Sequence, residues 1–216
     1  MPYPAGHREL VRGRIIESAR TLFNQHGFDN VSVDRIMAHA GLTRGGFYTY
    51  FDSKSDLYAE VLQCFFTDPN WKNRWEGVEV DMARADAGAQ IVRAYLSEQH
   101  YEDVGNSCPM VALPSDVARG DKTAKGAFEK IFRAMTAMLE RNLADDGSDA
   151  HSKAQAIAAL CVGGMVVARA LEDRALADEL RESAMTVALE LGGWEQKGQC
   201  GMLSACASSS SPSALP

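Results

Sequence analysis

The fold of this chain is decided by residues 32–62, SVDRIMAHAGLTRGGFYTYFDSKSDLYAEVL. Ser32 stands where a helix N-cap belongs, and the helix that follows ends at Gly41 after about two turns. Thr43 then predicts the N-cap of another short helix, over residues 44–50. A short scaffold helix, a tight turn and a second short helix form a helix-turn-helix motif, whose outer face can enter a major groove about 12 Å wide.

Two further helices flank this motif. Upstream, apolar side chains recur at helical spacing before Gly27, which predicts an amphipathic helix over residues 8–25. Its apolar face consists of Val11, Ile15, Ala19, Leu22 and Phe23. Downstream, Ser53 and Asp56 have the spacing of a capping box, which predicts the start of a long fourth helix.

The predicted helix over residues 44–50 has an inner face and an outer face. Phe47 and Phe51, four residues apart, share the inner face as apolar anchors. The outer face can read duplex DNA, because an arginine fork recognises guanine, a threonine methyl contacts thymine and a tyrosine hydroxyl donates to phosphate. Its residues are Arg44, Gly45, Tyr48 and Thr49. A glycine here either lets DNA approach closely or relieves crowding against the first helix.

Residues 8–66 resemble the DNA-binding head of the TetR family. The family pattern Thr-x-Gly-x-Phe/Leu-Tyr-x-x-Phe, followed by Ser-Lys, is matched by Thr43, Gly45, Phe47, Tyr48, Phe51, Ser53 and Lys54. The resemblance implies a repressor that binds a palindromic double-stranded DNA operator as a homodimer and is released by a small-molecule effector. The expected DNA contacts are Ser32, Thr43, Arg44, Gly45, Tyr48, Thr49 and Lys54. In this set, Ser32 and Lys54 would meet phosphates at helix N-termini.

The whole chain is predicted to be all-α, since no stretch shows convincing strand alternation. We expect a helix-turn-helix domain over residues 1–52, a helical effector-binding and dimerisation domain over 53–195 and a flexible tail over 196–216. Residues 154–171 are apolar almost all round, so this helix should be buried on both faces, one of them against a second subunit. The helices expected at 125–143 and 152–173 would form a four-helix bundle across the two-fold axis.

Candidate effector contacts are aromatic, sulfur-containing or histidine side chains of the second domain. Trp71 and Trp75, four residues apart, share a helix face and could form a wall for an apolar or aromatic ligand. For each candidate taken singly, a core position is favoured over ligand contact, and the ligand cannot be read from them. The full set is Trp71, Trp75, Tyr95, His100, Cys108, Met110, Phe128 and Phe132.

Cys108 precedes Pro109, so Pro109 is predicted as a first helical residue and Cys108 as the N-cap. The positive end of the helix would lower the pKa of a thiol there. Residues 107–111 resemble the Gly-Cys-Leu stretch of many TetR-type regulators, some of which sense electrophiles or oxidants, with Ser107 in place of glycine. Cys108 is therefore either a packing residue or a redox or electrophile sensor.

Charge is divided unevenly along this chain of net charge −7. The first 54 residues carry seven Lys or Arg against five acids, so the net charge is +2 there and −9 in the remainder. That asymmetry is typical of a head that approaches phosphates while an acidic body stays away. No apolar run approaches a membrane span and no leader pattern is found, so a cytoplasmic protein is expected.

Residue patterns disfavour metal and enzyme chemistry. The five histidines lack metal-binding spacing, the five cysteines form no CxxC pair, and no hydrolase elbow, P-loop or dinucleotide fingerprint occurs. Neither a cofactor nor a metal is expected, and an enzyme is the weaker class. The alternative from a different class is a small-molecule-binding helical protein whose DNA-binding head is vestigial.

Overall fold

The computed structural model describes residues 6–67, 78–144 and 147–194, with the side chains of 65–67 left out. This part is helical throughout and contains no β-sheet, as predicted. Its helices are α1 (His7–His26), α2 (Val33–His39), the 3-10 helix η1 (Arg44–Thr49), α3 (Lys54–Thr67), α4 (Ala87–Tyr95), α5 (Glu98–Glu102), α6 (Pro109–Ala112), α7 (Pro114–Arg119), α8 (Lys122–Glu140), α9 (Ala150–Ala170) and α10 (Arg174–Leu191).

The head, composed of α1, α2, η1 and the start of α3, follows the sequence closely. All five predicted apolar residues of α1 are buried. Gly27 and Gly41, the predicted helix ends, have φ values of 76° and 67°, a region that glycine enters without steric cost. At the start of α3, the amide of Asp56 donates to Oγ of Ser53 at 3.0 Å. The carboxylate of Asp56 accepts from that hydroxyl at 2.7 Å. The second bond of the capping box is therefore made between the two side chains.

The body is a layered set of helices in which α8 packs between α3 and α9, and α9 packs on α10. Asp121 caps α8 by accepting from the amide of Ala124 at 2.9 Å, so the helix begins three residues before the predicted 125. The other predicted helix, 152–173, spans Ala150–Ala170 and ends where Leu171 becomes extended. Asp173 then caps a separate helix, α10, which the sequence analysis did not distinguish.

Helix α9 is an exception to the expectation that no apolar run approaches a membrane span. Its length and composition would allow it to cross a membrane, with a mean hydropathy of 1.3 over its most apolar window, and this corrects that expectation. In the structure it packs between α8 and α10 as a core helix does. Gly164 permits the approach of α10, because an added Cβ would lie 2.8 Å from Cβ of Ala184. Only 39% of the window is buried within the chain, which leaves an apolar face uncovered.

That uncovered apolar face lies on α9 and α10. Val167 is 49% exposed on α9, and α10 adds Leu176, Val187 and Leu191 at 47%, 44% and 36%. No such exposed large apolar residue occurs on α8, whose outward positions in the described structure are small or polar. Helices α9 and α10 thus expose more large apolar side chains than α8 does, while the expected pairing of 125–143 with 152–173 across a two-fold axis stays a prediction.

Candidate nucleic-acid interface

Two buried phenylalanines anchor η1 to the head. Phe47 and Phe51 are 0% and 5% exposed, with ring centroids 5.7 Å apart, which confirms their predicted inward position. The segment winds as a 3-10 helix instead of the expected α-helix, and its two glycines are poor α-helix formers. Thr43 occupies the N-cap position, but its side chain makes no capping hydrogen bond in the described structure, contrary to prediction.

The outer face of η1 is exposed as predicted, at Thr43, Arg44, Gly45, Tyr48 and Thr49. The ring of Tyr48 is 65% exposed and meets Phe47 edge-on, with centroids 5.2 Å apart. The structure therefore brings a guanidinium, a phenol and two threonine hydroxyls to one short element on the protein surface. This is the combination of donors that base and phosphate contacts require.

Gly45 has no structural reason to be glycine. Among the described residues, no atom lies within 4 Å of a Cβ added there, and its φ is not positive. At Gly46 the nearest atom is the terminal methyl of Met37 at 3.6 Å, an ordinary contact. The structure thus excludes crowding against the first helix as the explanation for Gly45. The other explanation, close approach of an outside molecule, is left.

Arg44 forms an exposed ion pair with Asp34 that it can readily give up for another partner. Its Nε lies 3.0 Å from Oδ1 of Asp34 on α2, and the two side chains are 71% and 54% exposed. Exposed ion pairs of this kind stabilise a protein by about 0–1 kcal/mol. Arg44 can therefore leave Asp34 for a guanine or a phosphate with little loss of stability.

Lys54 has an internal role that the sequence analysis missed. Its ammonium donates to the carbonyls of Phe28 and Val31 at 2.8 and 2.9 Å, and it lies 4.1 Å from the ring centroid of Phe28. Burial lowers the pKa of Lys54, opposed by the nearby Asp29. Two of its three protons are thus engaged in joining α3 to the α1–α2 turn. Phosphate contact through the third proton stays a prediction.

Ser32 caps α2 as predicted, since its Oγ accepts from the amide of Arg35 at 3.2 Å. Because the hydroxyl accepts in that bond, its own proton is still available for donation to a phosphate. Ser32 is exposed on the same domain as η1. Its phosphate contact also stays a prediction.

The N-terminal turns of α1 bring cations beside η1, which the sequence analysis overlooked. Nη2 of Arg8 donates to the carbonyl of Thr49 at 3.0 Å. One turn later, the guanidinium of Arg12 lies 5.0 Å from the ring centroid of Phe51 and pairs with Glu60 at 2.8 Å. The spacing of four between the two arginines was the available signal, since it places both on one helix face.

The candidate effector residues are distributed between the core and half-buried positions. Tyr95, His100, Cys108 and Met110 are all buried, and the rings of Tyr95 and His100 meet edge-on at 5.0 Å. Phe128 and Phe132 are half-buried on α8. Trp71 and Trp75 lie outside the described residues. The clefts described in the structure are lined by other residues.

Both ring nitrogens of His100 have buried hydrogen-bond partners. Its Nδ1 lies 2.6 Å from the carbonyl oxygen of Tyr95, which can only accept, so Nδ1 carries the proton. Its Nε2 accepts from the amide of Cys108 at 3.3 Å and lies 2.9 Å from Oγ of Ser107. A second ring proton would point at that amide. This histidine therefore organises the segment before α6.

Cys108 is the N-cap of α6 and Pro109 its first residue, as predicted. However, α6 has only four residues and the thiol is completely buried. A short helix offers little dipole, and reagents in solvent cannot reach a fully buried sulfur without a local opening. Nearby, burial raises the pKa of Cys161 to about 12 and holds that of Tyr95 well above its usual value. These surroundings favour packing over sensing.

Comparison with known proteins agrees with this architecture. Residues 15–61 match the family described as bacterial regulatory proteins, tetR family. Over 97 residues the chain is 28% identical to the HTH-type transcriptional regulator YfiR of Bacillus subtilis, covering 45% of this chain and 42% of YfiR. Over 56 residues it is 32% identical to the HTH-type negative transcriptional regulator IcaR of the biofilm operon icaADBC in Staphylococcus aureus. That match covers 26% of this chain and 30% of IcaR, so the chain spans less than half of either relative.

Solved structures extend the likeness to the body. Reduced NemR from E. coli superposes with a TM-score of 0.64 at 19% identity, over 84% of this chain and 97% of NemR. FadR from Bacillus subtilis, solved with stearoyl-CoA, superposes with a TM-score of 0.63 at 15% identity, over 84% of this chain and 98% of FadR. Fold and surface together define a helix-turn-helix head on a helical body. Within that head, residues 15–61 match the tetR family model, and the body shares the fold of these solved structures.

Proposed function

We propose that this protein is a transcriptional repressor that binds a palindromic operator as a homodimer. The observation that carries the proposal is the exposed outer face of η1 around Arg44 and Tyr48, anchored from behind by two buried phenylalanines. The expected contacts are those predicted above, with Arg8 added. The two copies of η1 would lie about one DNA turn apart, 34–36 Å, or wider. We place the protein in the cytoplasm, where its operator would be.

Replacement of Arg44 tests this function. We expect Arg44→Ala to remove discrimination between the operator and scrambled DNA, because each bidentate base contact contributes about 1–3 kcal/mol of it. Binding would be measured by fluorescence anisotropy on duplexes selected by the wild-type protein from random sequence. The matched control is Arg133→Ala on α8, which also removes an exposed arginine paired with a carboxylate, that of Glu129 at 2.7 Å. Full discrimination by Arg44→Ala would exclude base readout by this residue.

The same experiment separates the repressor from its alternative. A small-molecule-binding protein with a vestigial head would select no sequence from the random duplexes, whatever stands at position 44. The second alternative, a redox or electrophile sensor acting through Cys108, keeps DNA binding. It ranks lower because the thiol is completely buried.

We propose residues 53–195 as the effector-binding and dimerisation domain and 1–52 as the DNA-binding domain; the tail expected over 196–216 lies outside the described residues. FadR, which shares the fold, was solved with stearoyl-CoA, and we propose that this body also takes a small organic effector. A thermal-shift screen on the purified protein would find its chemical class, since a ligand that binds only the native state raises the melting temperature.

A further inference from the structure

A short loop lies between the head and the body and is bound from both sides. Residues 103–108 connect α5 to α6. Because this segment is not helical, hydrogen bonds within it do not satisfy all of its backbone carbonyls. Buried backbone carbonyls need partners. In this loop the partners come from α1 of the head and from α9 of the body.

The head holds the loop through two side chains of α1. Asn24 donates from Nδ2 to the carbonyls of Gly105 and Ser107 at 3.2 and 3.0 Å. Arg20 donates to the carbonyl of Gly105 at 3.3 Å and to Oδ1 of Asn106 at 2.8 Å. Arg20 and Asn24 are only 5% and 8% exposed. Both amide protons of Asn24 are therefore committed to the loop in a place that water barely reaches.

The body holds the same loop through Arg169 on α9. Its Nη1 donates to Oγ of Ser107 at 2.8 Å, and its Nε donates to the carbonyl of Tyr101 at 3.1 Å. Nη2 donates to the carbonyl of His100. His100 also contacts Ser107 and the amide of Cys108, so the body holds the loop through two side chains.

The backbone of this loop lies directly against α1 and borders a cleft. An added Cβ at Gly105 would lie 3.3 Å from Nε2 of Gln25 and 3.5 Å from Cγ2 of Thr21, so the loop backbone rests directly on α1. A cleft of about 540 Å³ beside the loop is lined by Asn24, Val104, Val111, Val166, Arg169 and neighbouring residues.

We propose that residues 103–108 form a coupling loop that sets the position of the DNA-binding head relative to α9, with Arg20 and Asn24 as positioning residues for operator binding. This proposal rests on the proposed function, and the coupling loop is the element through which DNA binding would be regulated. Arg20 and Asn24 hold the head to the loop, and Arg169 holds the loop to the helix that carries the uncovered apolar face. The separation of the two recognition helices in the dimer is fixed through this chain of contacts.

The spacing of operator half-sites tests the coupling loop. Inserting one or two base pairs at the operator centre turns one half-site by about 34° per base pair, which a rigid pair of heads cannot follow. Wild-type protein should bind the lengthened operators much more weakly than the intact one. Asn24→Ala should reduce this intact-to-lengthened affinity ratio by at least about fivefold, the lower end of ordinary coupling, and leave affinity for an isolated half-site unchanged. A merely structural role would not change the spacing ratio selectively.

A second variant and a control make the test specific. Arg169→Gln alters a residue of α9, outside the head, and should lower the intact-to-lengthened affinity ratio as Asn24→Ala does. Asn142→Ala is the matched control, because Asn142 also donates from Nδ2 to a backbone carbonyl, that of Met138 at 2.7 Å, but lies in the body beyond α8. It should keep the wild-type ratio. Folded Asn24 and Arg169 variants that keep the ratio would overturn the coupling loop.

A measurement on the wild-type protein covers the case in which the variants fail to fold. Operator binding should slow hydrogen exchange of the amides in residues 103–108, and unchanged exchange there would contradict the proposal. If the wild-type protein selects no DNA sequence at all, it is the proposed function that fails. If it selects an operator but the spacing ratio and the exchange do not respond, only the coupling loop fails.

Discussion

At the residue scale, the head contains side chains that serve the fold and side chains that the fold does not need. Phe47 is fully buried and Lys54 joins α3 to the α1–α2 turn, so both are explained by the chain itself. Tyr48 and Gly45 are not explained in this way. One exposes a large ring, and the other leaves space where a side chain would fit. Residues of the second kind are the reason for proposing this surface as the one that binds DNA.

Gly45→Ala separates folding from DNA binding. We expect the variant to be as stable as the wild-type protein or slightly more stable, since alanine is the better helix former and meets no atom of the described structure. Operator affinity should fall about tenfold or more, equivalent to 1.4 kcal/mol, because the new methyl stands where DNA approaches. Thermal melting and anisotropy titrations measure the two effects.

The control for Gly45→Ala is Gly126→Ala on α8, where an added Cβ likewise meets nothing within 4 Å among the described residues. It should gain stability without any change in operator affinity. If Gly45→Ala bound the operator like the wild-type protein, close approach of DNA at this position would be ruled out.

At the scale of elements, α9 and α10 are the helices whose surfaces the chain leaves incomplete. Each of them buries one apolar face in the core and also carries apolar side chains on its solvent-exposed face. Val167, Val187 and Leu191 are exposed on them. Scattered apolar residues are normal on a surface, but a group of them on two adjacent helices is typical of a subunit interface.

Val187→Glu should therefore dissociate the proposed dimer. A carboxylate placed in a closed interface loses its hydration without gaining a partner, which is costly. Light scattering at micromolar concentration should give a dimer for the wild-type protein and a monomer for the variant, with helical content unchanged by circular dichroism. Leu10→Glu, which alters an exposed apolar residue of the head that is 72% accessible, should remain a dimer. A wild-type monomer would contradict the proposed interface.

At the scale of the whole molecule, the head and the body are joined by more than the α3 connection. Besides the coupling loop, Oδ2 of Asp116 on α7 accepts from the amide of Phe28 at 2.8 Å. Helix α3, the predicted fourth helix, runs from the head into the body and packs on α8. Contacts from α1 to the coupling loop and from the α1–α2 turn to α7 add to this connection, so a change in the body has parallel routes to the head.

Coupling of this kind must be reciprocal. Once screening has identified an effector, operator DNA should weaken effector binding by the same factor by which the effector weakens operator binding, commonly about 5- to 150-fold. Calorimetric titration of the effector into free protein and into the operator complex gives the two affinities. Equal values would mean that the ligand does not regulate DNA binding, because a ligand shifts an equilibrium only through different affinities for its two states.

The sequence by itself determined the all-α class, the helix-turn-helix, its exposed face and the N-cap at Cys108. These features depend on residues close together in the chain, because capping, glycine turns and helical periodicity act over a few residues. The choice of α9 with α10 as the uncovered pair, the internal bonds of Lys54 and the contacts of Arg20 and Asn24 were decided only by the tertiary structure. Arg20 and Gly105 lie 85 positions apart. No local pattern records which buried carbonyl a distant side chain will satisfy, since that depends on how the helices pack.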